Sequence, residues 1–363
     1  MNIKLPDFTF AFFLVFFLLL GKKIIDIQVV EANIFLSLFV YGLLFFTSFL
    51  FLGKCILIPL LSIITLPFFL TGEFNSFGLY KIINLIFCVQ VLTFVYTLLR
   101  SRLQWERVFI YFSIMLAAYI IFVVLFMVLF KGWFFGQRVT MGLNGPITFS
   151  RFNFLVSLAI ILFCKMKNNI IYAAPFGVVG GAMASKGPLL SLIVSLLYYY
   201  WKNITIKRVF LSIIAIYAVF LSIEYFSPRL YNFLIDISKI IIEQDYSVIY
   251  SDYNSGSLGS RATEWIHAFS SFLLNPMGIG AGNWSLYGEH LYPHNLFFEI
   301  ITEFGFLGLL FCIVFVFSAI RVKNTELKAI ILFLFVNSLF SGSVVDNSLL
   351  FVLVIIGRLD SNA

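Results

Sequence analysis

Charge is scarce in this chain. Only 11% of its 363 residues are Asp, Glu, Lys or Arg, less than half the share in an ordinary soluble domain. With 61% hydrophobic residues and a mean hydropathy of +1.03, it has too few polar groups to cover its own surface in water. Soluble enzymes, nucleic-acid-binding domains and disordered chains are thereby excluded, in spite of a formal charge of +7. Cysteine is equally sparse: Cys55, Cys88, Cys164 and Cys312 stand far apart inside apolar runs. Without CxxC or Cys/His spacing they read as small buried hydrophobes, not as disulfides or metal ligands. The glycines at 278–282 lack the preceding strand and the Lys-Ser/Thr of a P-loop, so no nucleotide site is expected.

What the chain has instead is long uncharged runs, about twelve of them, from 6–21 through 32–52, 79–99, 108–130, 147–164 and 293–320 to 345–357. Each is read as a helix, and several fall short of the ~20 residues of a perpendicular span. The fold class expected is an all-α polytopic membrane protein with ten to twelve transmembrane segments. The first run follows Lys4 but ends in Leu20-Gly21-Lys22-Lys23 without a small-x-small cleavage pattern, and is taken as a span that stays in place. Residues 1–223 make a transmembrane bundle, 224–292 a loop outside the membrane, and 293–363 the last transmembrane segments.

Loop charges set the orientation. With both ends inside, the cytoplasmic side collects fourteen of the 24 basic residues, Arg100, Arg107, Lys207, Arg321 and Arg358 among them, against four of the 17 acids. This is the positive-inside asymmetry, with Lys22 and Lys23 as exceptions. The large loop then lies on the outer face. Helical periodicity appears over 227–250 and again over 261–274, where Asn275-Pro276 stops the second helix.

The residues with chemical potential gather on that outer face. Arg138 and Arg151 flank a Gly-Pro turn, Lys186 sits in Ser185-Lys186-Gly187-Pro188, and Arg261 opens the second loop helix. Cations near one leaflet surface suit a polyanionic headgroup such as a lipid-linked diphosphate, which Arg grips bidentately and Lys meets as a point charge. Two blander readings stand beside that one: snorkelling to lipid headgroups, or neutralising Glu264, Glu299 and Glu303. His294 stands in Tyr292-Pro293-His294-Asn295, where the loop becomes a span. The positive end of the helix dipole disfavours an imidazolium there. A neutral ring can take a proton from a sugar hydroxyl, and the open N–H groups of the helix start are expected to receive phosphate. The alternative is a histidine that merely marks the interface. His290 and His294 would share a metal only on one helix, which Pro293 opposes. Glu299 and Glu303, four apart, project from one face. They are expected to orient His294, to pair with Arg151 or Lys186, or to bind acceptor hydroxyls. On one helix they cannot flank a glycosidic bond.

Two runs of residues carry a resemblance. Arg261-x3-Trp265-x2-Ala268-x6-Asn275-Pro276-x-Gly278-x-Gly280 is followed by Pro293-His294-Asn295-x3-Glu299-x5-Gly305-x2-Gly308. Together they resemble the signature of the O-antigen polymerase and O-antigen ligase superfamily. Ser185-Lys186-Gly187 is similar to that superfamily's Ser-Arg-Gly, with Lys in place of Arg. The resemblance covers about residues 140 to 310, and the first five spans match in general character alone. It implies a GT-C-type, inverting, metal-independent glycosyltransferase of the bacterial inner membrane, needing no cofactor. The site would face the periplasm, with a glycan on undecaprenyl diphosphate as donor. On that resemblance His294 and Arg261 are catalytic, Arg138, Arg151, Lys186 and Arg261 hold the diphosphate, and Glu264, Asn295 and Glu299 receive or orient the acceptor. A compact, Phe-rich chain favours the polymerase, whose acceptor is another lipid-linked repeat unit, over the ligase, whose acceptor is lipid A-core. A chain-length regulator is the protein partner implied, and nucleic acid is not. A transporter is the rival reading, weakened by the lack of paired halves with matching broken helices.

Overall fold

The computed structural model describes residues 4–20, 26–53, 55–66, 75–132, 146–164, 169–182, 186–201, 260–288 and 290–361. The helix expected over 227–250, the run at 209–223 and Arg138 lie outside the described residues. Among those described, every regular element is helical. They are α1 (Leu5–Leu20), α2 (Ile27–Ala32), α3 (Ile34–Ser48), α4 (Leu57–Ile63), α5 (Ser76–Leu99), α6 (Trp105–Lys131), α7 (Pro146–Phe163), α8 (Asn169–Ala182), α9 (Lys186–Tyr200), α10 (Ser260–Leu274), α11 (Leu296–Ile320), α12 (Thr325–Ser338) and α13 (Ser348–Ser361). Four stretches are long and apolar enough to cross a membrane: Ile34–Phe51, Ser76–Arg102, Trp105–Lys131 and Leu296–Ile320. Four shorter apolar helices, α1 and α7 to α9, accompany them. The chain is an all-α polytopic membrane protein.

Two compact units are present. One comprises Met1–Phe112 with Thr263–Ala363, the other Ser113–Ala262. In the second, α7 and α8 lie in close contact. Ser150 donates to the Gly180 carbonyl at 2.8 Å, and a Cβ at Gly180 would come within 3.1 Å of the Phe154 ring.

The first unit has two chemically distinct ends. At one, Tyr96 and Trp105 donate to the two oxygens of Asp360 at 3.1 and 3.2 Å, and Arg100 donates to the Leu359 carbonyl. Buried Asp7 accepts the Gln104 N–H at 2.8 Å and lies 3.9 Å from Arg107. Phe10, Tyr96 and Trp105 pack together here with centroids 5.8 to 6.2 Å apart, Tyr96 stacked on Trp105 and Phe10 edge-on to Trp105, each ring pair adding about 0.5–1.5 kcal/mol beyond its buried area. Asp7, Arg100, Arg107 and Asp360 are residues that loop charge assigns to a single side. At the other end, Asn75 caps α5 through the Phe77 N–H at 2.9 Å. Its amide reaches the Gly282 carbonyl and the Asn283 side chain, both at 3.1 Å.

That second end is built around a break in α11. Gly305 takes φ 60° and ψ −141° inside the helix, a conformation nearly closed to residues with a Cβ. Breaking a membrane helix frees backbone groups that lipid cannot satisfy. Here the glycine loop supplies the partners. Ile279 and Gly280 donate to the Thr302 and Glu303 carbonyls at 3.0 and 3.1 Å, and Phe306 donates to the Pro276 carbonyl at 2.9 Å. The approach is too close for side chains. A Cβ on Gly278 would sit 2.5 Å from the Glu303 oxygen, and one on Gly305 would collide with the Pro276 carbonyl. Beside it, Thr302 donates to the Ala268 carbonyl of α10 at 3.1 Å, and buried Ala268, Ile279 and Trp284 form a small core with Phe298 against it.

Candidate functional site

Above the break, the turn over residues 290–295 carries two of the three histidines, His290 and His294. His294 has φ 54° and is the one positive-φ residue other than glycine among those described. A side chain held in the left-handed region costs of order 1–3 kcal/mol, a cost tolerated where the surroundings impose it. Two neighbours impose it. Pro293, buried, fixes the chain before it. Asn295, in extended conformation, begins α11 and accepts from the Phe297 and Phe298 N–H groups at 2.9 and 3.2 Å. Its amide donates to the Leu339 carbonyl at 3.1 Å, pinning the turn to the end of α12.

This cap corrects one expectation. Of the N–H groups that the sequence offers to a phosphate at the start of α11, those of Phe297 and Phe298 are taken by Asn295 itself. The Asn295 side chain thus holds the helix start that carries His294. The rings of His290 and Tyr292 pack edge-on against His294, with centroids 4.9 and 4.8 Å away.

Glu264, on α10, is buried. One of its oxygens accepts from the Trp284 indole at 3.1 Å, and the other lies 3.4 Å from Nδ1 of His290. The carboxylate thus faces His290.

Glu299 and Glu303 do share a face, as their spacing predicts, and both point at a cation the sequence reading passes over. Lys81 of α5, itself buried, forms ion pairs with Glu299 and, at 2.7 Å, with Glu303. Glu299 also accepts the Val344 N–H at 2.9 Å. The sequence holds a signal for this: a lone Lys inside an apolar run needs a partner, and an i, i+4 carboxylate pair inside another run supplies one. Glu299 and Glu303 therefore tie α5, α11 and the segment before α13 together directly below the histidine turn.

The remaining cations fall in the other compact unit. Arg151, on α7, is 3% exposed. Lys186 is the first residue of α9, and Arg261, half-buried, is the second of α10. Among the described residues no group of three His, Cys, Asp or Glu side chains could hold a metal ion.

Residues 171–313 match the family model of O-antigen ligase. That stretch, less than half of the chain, is what is similar to the family. The matched stretch contains Lys186, Arg261, Glu264, His290, His294 and Glu299; Arg151 and Arg138 precede it. None of the curated proteins matches the chain.

Proposed function

We propose that this chain is a surface-polysaccharide polymerase. It moves a glycan from undecaprenyl diphosphate to the non-reducing end of another lipid-linked repeat unit, at the periplasmic face of the bacterial inner membrane. The observation that carries the reading is His294, held in a strained backbone conformation at the capped start of a broken membrane helix, within the stretch that matches the family.

The reaction needs three things from the protein. An acceptor hydroxyl must be aligned with the anomeric carbon, its proton must be received, and the departing diphosphate must be balanced. His294 meets the hydroxyl. Arg261, Arg151, Lys186 and Arg138 neutralise the diphosphate as negative charge grows on it, with Arg261 supplying a fork and Lys186 a point charge. Attack from the face opposite the leaving group inverts the anomeric centre. The lipid diphosphate is itself the activated leaving group, so neither nucleotide nor metal takes part. Lys81 with Glu299 and Glu303 keeps the floor of the turn in place.

The family description favours a second reading, an O-antigen ligase with lipid A-core as acceptor. Purified protein in vesicles, given only lipid-linked repeat units, separates the two. Longer lipid-linked glycans are the expected product. A strict requirement for lipid A-core identifies the ligase. Glycan that crosses the bilayer without any new bond identifies a transporter and overturns the enzyme reading.

A further inference from the structure

His294 is one of two imidazoles in the turn, and the other, His290, faces a buried carboxylate. Glu264 is buried, with its side chain 4% exposed, whereas the His290 side chain is 42% exposed. One carboxylate oxygen is fixed by the indole of Trp284, which is completely buried. That indole is itself confined, since a Cβ at Gly288 would lie 2.5 Å from its ring. The second oxygen faces His290 Nδ1 at 3.4 Å. A carboxylate can only accept, so the pair places a hydrogen on Nδ1 and leaves Nε2 as the basic nitrogen. Contacts of this kind tighten when substrate fills a site. The arrangement is a buried carboxylate facing one nitrogen of an exposed imidazole, the order in which general bases of hydrolases are built. The groups set against it are Glu264 from α10 and His294 from its own turn, with Tyr292 packed on His294.

We propose that His290, oriented by Glu264, is the general base of the site, and that His294 orients the acceptor hydroxyl beside it; this rests on the glycosyltransferase reading above. In the step, the acceptor oxygen forms a bond to the anomeric carbon. The bond from that carbon to the diphosphate oxygen breaks, and its electron pair leaves with the lipid diphosphate. The hydroxyl proton passes to Nε2 of His290, and the resulting imidazolium is stabilised by Glu264 through Nδ1–H.

Transfer by the full chain in vesicles, with lipid-linked repeat units as substrate, tests this. His290→Ala and His290→Gln are expected to lower kcat about 10²–10⁴-fold, the range for loss of a general base, while KM stays within about threefold. Added imidazole is expected to restore part of the His290→Ala rate. Glu264→Gln is expected to lower kcat by a smaller factor. A His290→Gln protein that accumulates and works within about threefold of wild type, while His294→Ala is inactive, overturns the proposal and leaves the glycosyltransferase reading standing. A wild-type protein that forms no glycosidic bond under any acceptor overturns both. Nitrogen-15 NMR of labelled histidines adds a readout independent of turnover, because the chain has only three histidines to assign. His290 protonated at Nδ1 in wild type, and no longer fixed so in Glu264→Gln, is the expected result; a hydrogen on Nε2 with a bare Nδ1 in the wild-type protein contradicts the pairing.

Discussion

Replacing Lys81 with Met leaves the length and most of the volume of the side chain and removes only the ammonium group. In the native structure that group faces two carboxylates, both fully buried, at the junction of α5 and α11. Removing one partner of a buried pair costs about 3–5 kcal/mol, because the remaining charge stays without compensation. Here two carboxylates are left behind, so the loss belongs at the upper end, about 5 kcal/mol. That corresponds to between about three and four powers of ten in the ratio of folded to unfolded protein, and to a fall of roughly 10 °C in melting temperature. Thermal unfolding of the detergent-solubilised protein measures it. The triple variant Lys81→Met, Glu299→Gln, Glu303→Gln removes the uncompensated charge and keeps an oxygen for the Val344 N–H. It is expected to recover all but about 1–2 kcal/mol. Lys81→Met melting within 2 °C of wild type, at about 1 kcal/mol or less, refutes the argument that this lysine holds the two carboxylates in place. So does a triple variant no more stable than the single one.

Three further outcomes follow from other parts of the structure. Gly305→Ala places a side chain on the Pro276 carbonyl in a backbone conformation reserved for glycine. It is expected to cost more than about 3 kcal/mol, and a variant that accumulates and melts normally contradicts the glycine-loop account. Arg261→Ala is expected to reduce transfer about 10²–10³-fold, as for loss of one preorganised charge donor, and Arg261→Lys to retain part of the rate because charge survives while the fork is lost. Full activity in both removes Arg261 from the diphosphate site. Chelator is expected to leave transfer unchanged, and a loss that is restored by divalent metal overturns the metal-free mechanism.

How much of this could be read before folding differs from element to element. The apolar runs became helices close to where hydropathy put them, as at 79–99 for α5, 147–164 for α7 and 293–320 for α11, because a lipid-facing backbone has few other ways to satisfy itself. The helix ending at Asn275-Pro276 was equally legible, since local chemistry stops it. Neither the kink at Gly305 nor its repair by Ile279 and Gly280 has a local signature: glycines in a hydrophobic run are common, and the partners lie more than twenty residues upstream. The Lys81 pairing joins positions over two hundred residues apart, a distance no periodicity spans. At the turn, the sequence singles out His294 by its place before a span, and that place does impose unusual geometry. Spacing alone gave His290 nothing but a metal reading, because its partner Glu264 lies on another helix. Asn295 is instructive in the opposite sense. A capping residue before an apolar run is a strong local signal, and reading it as a cap predicts that N–H groups of the helix start, here those of Phe297 and Phe298, are already occupied.

The most direct measurement is the release of undecaprenyl diphosphate from a synthetic lipid-linked repeat unit by wild-type protein and by His294→Ala, reconstituted at equal density in the same vesicles. Wild type is expected to release one lipid diphosphate for each glycosidic bond formed, and the variant to release none above background while remaining folded in the membrane. Equal release by the two proteins, or bond formation without lipid diphosphate release, contradicts the account.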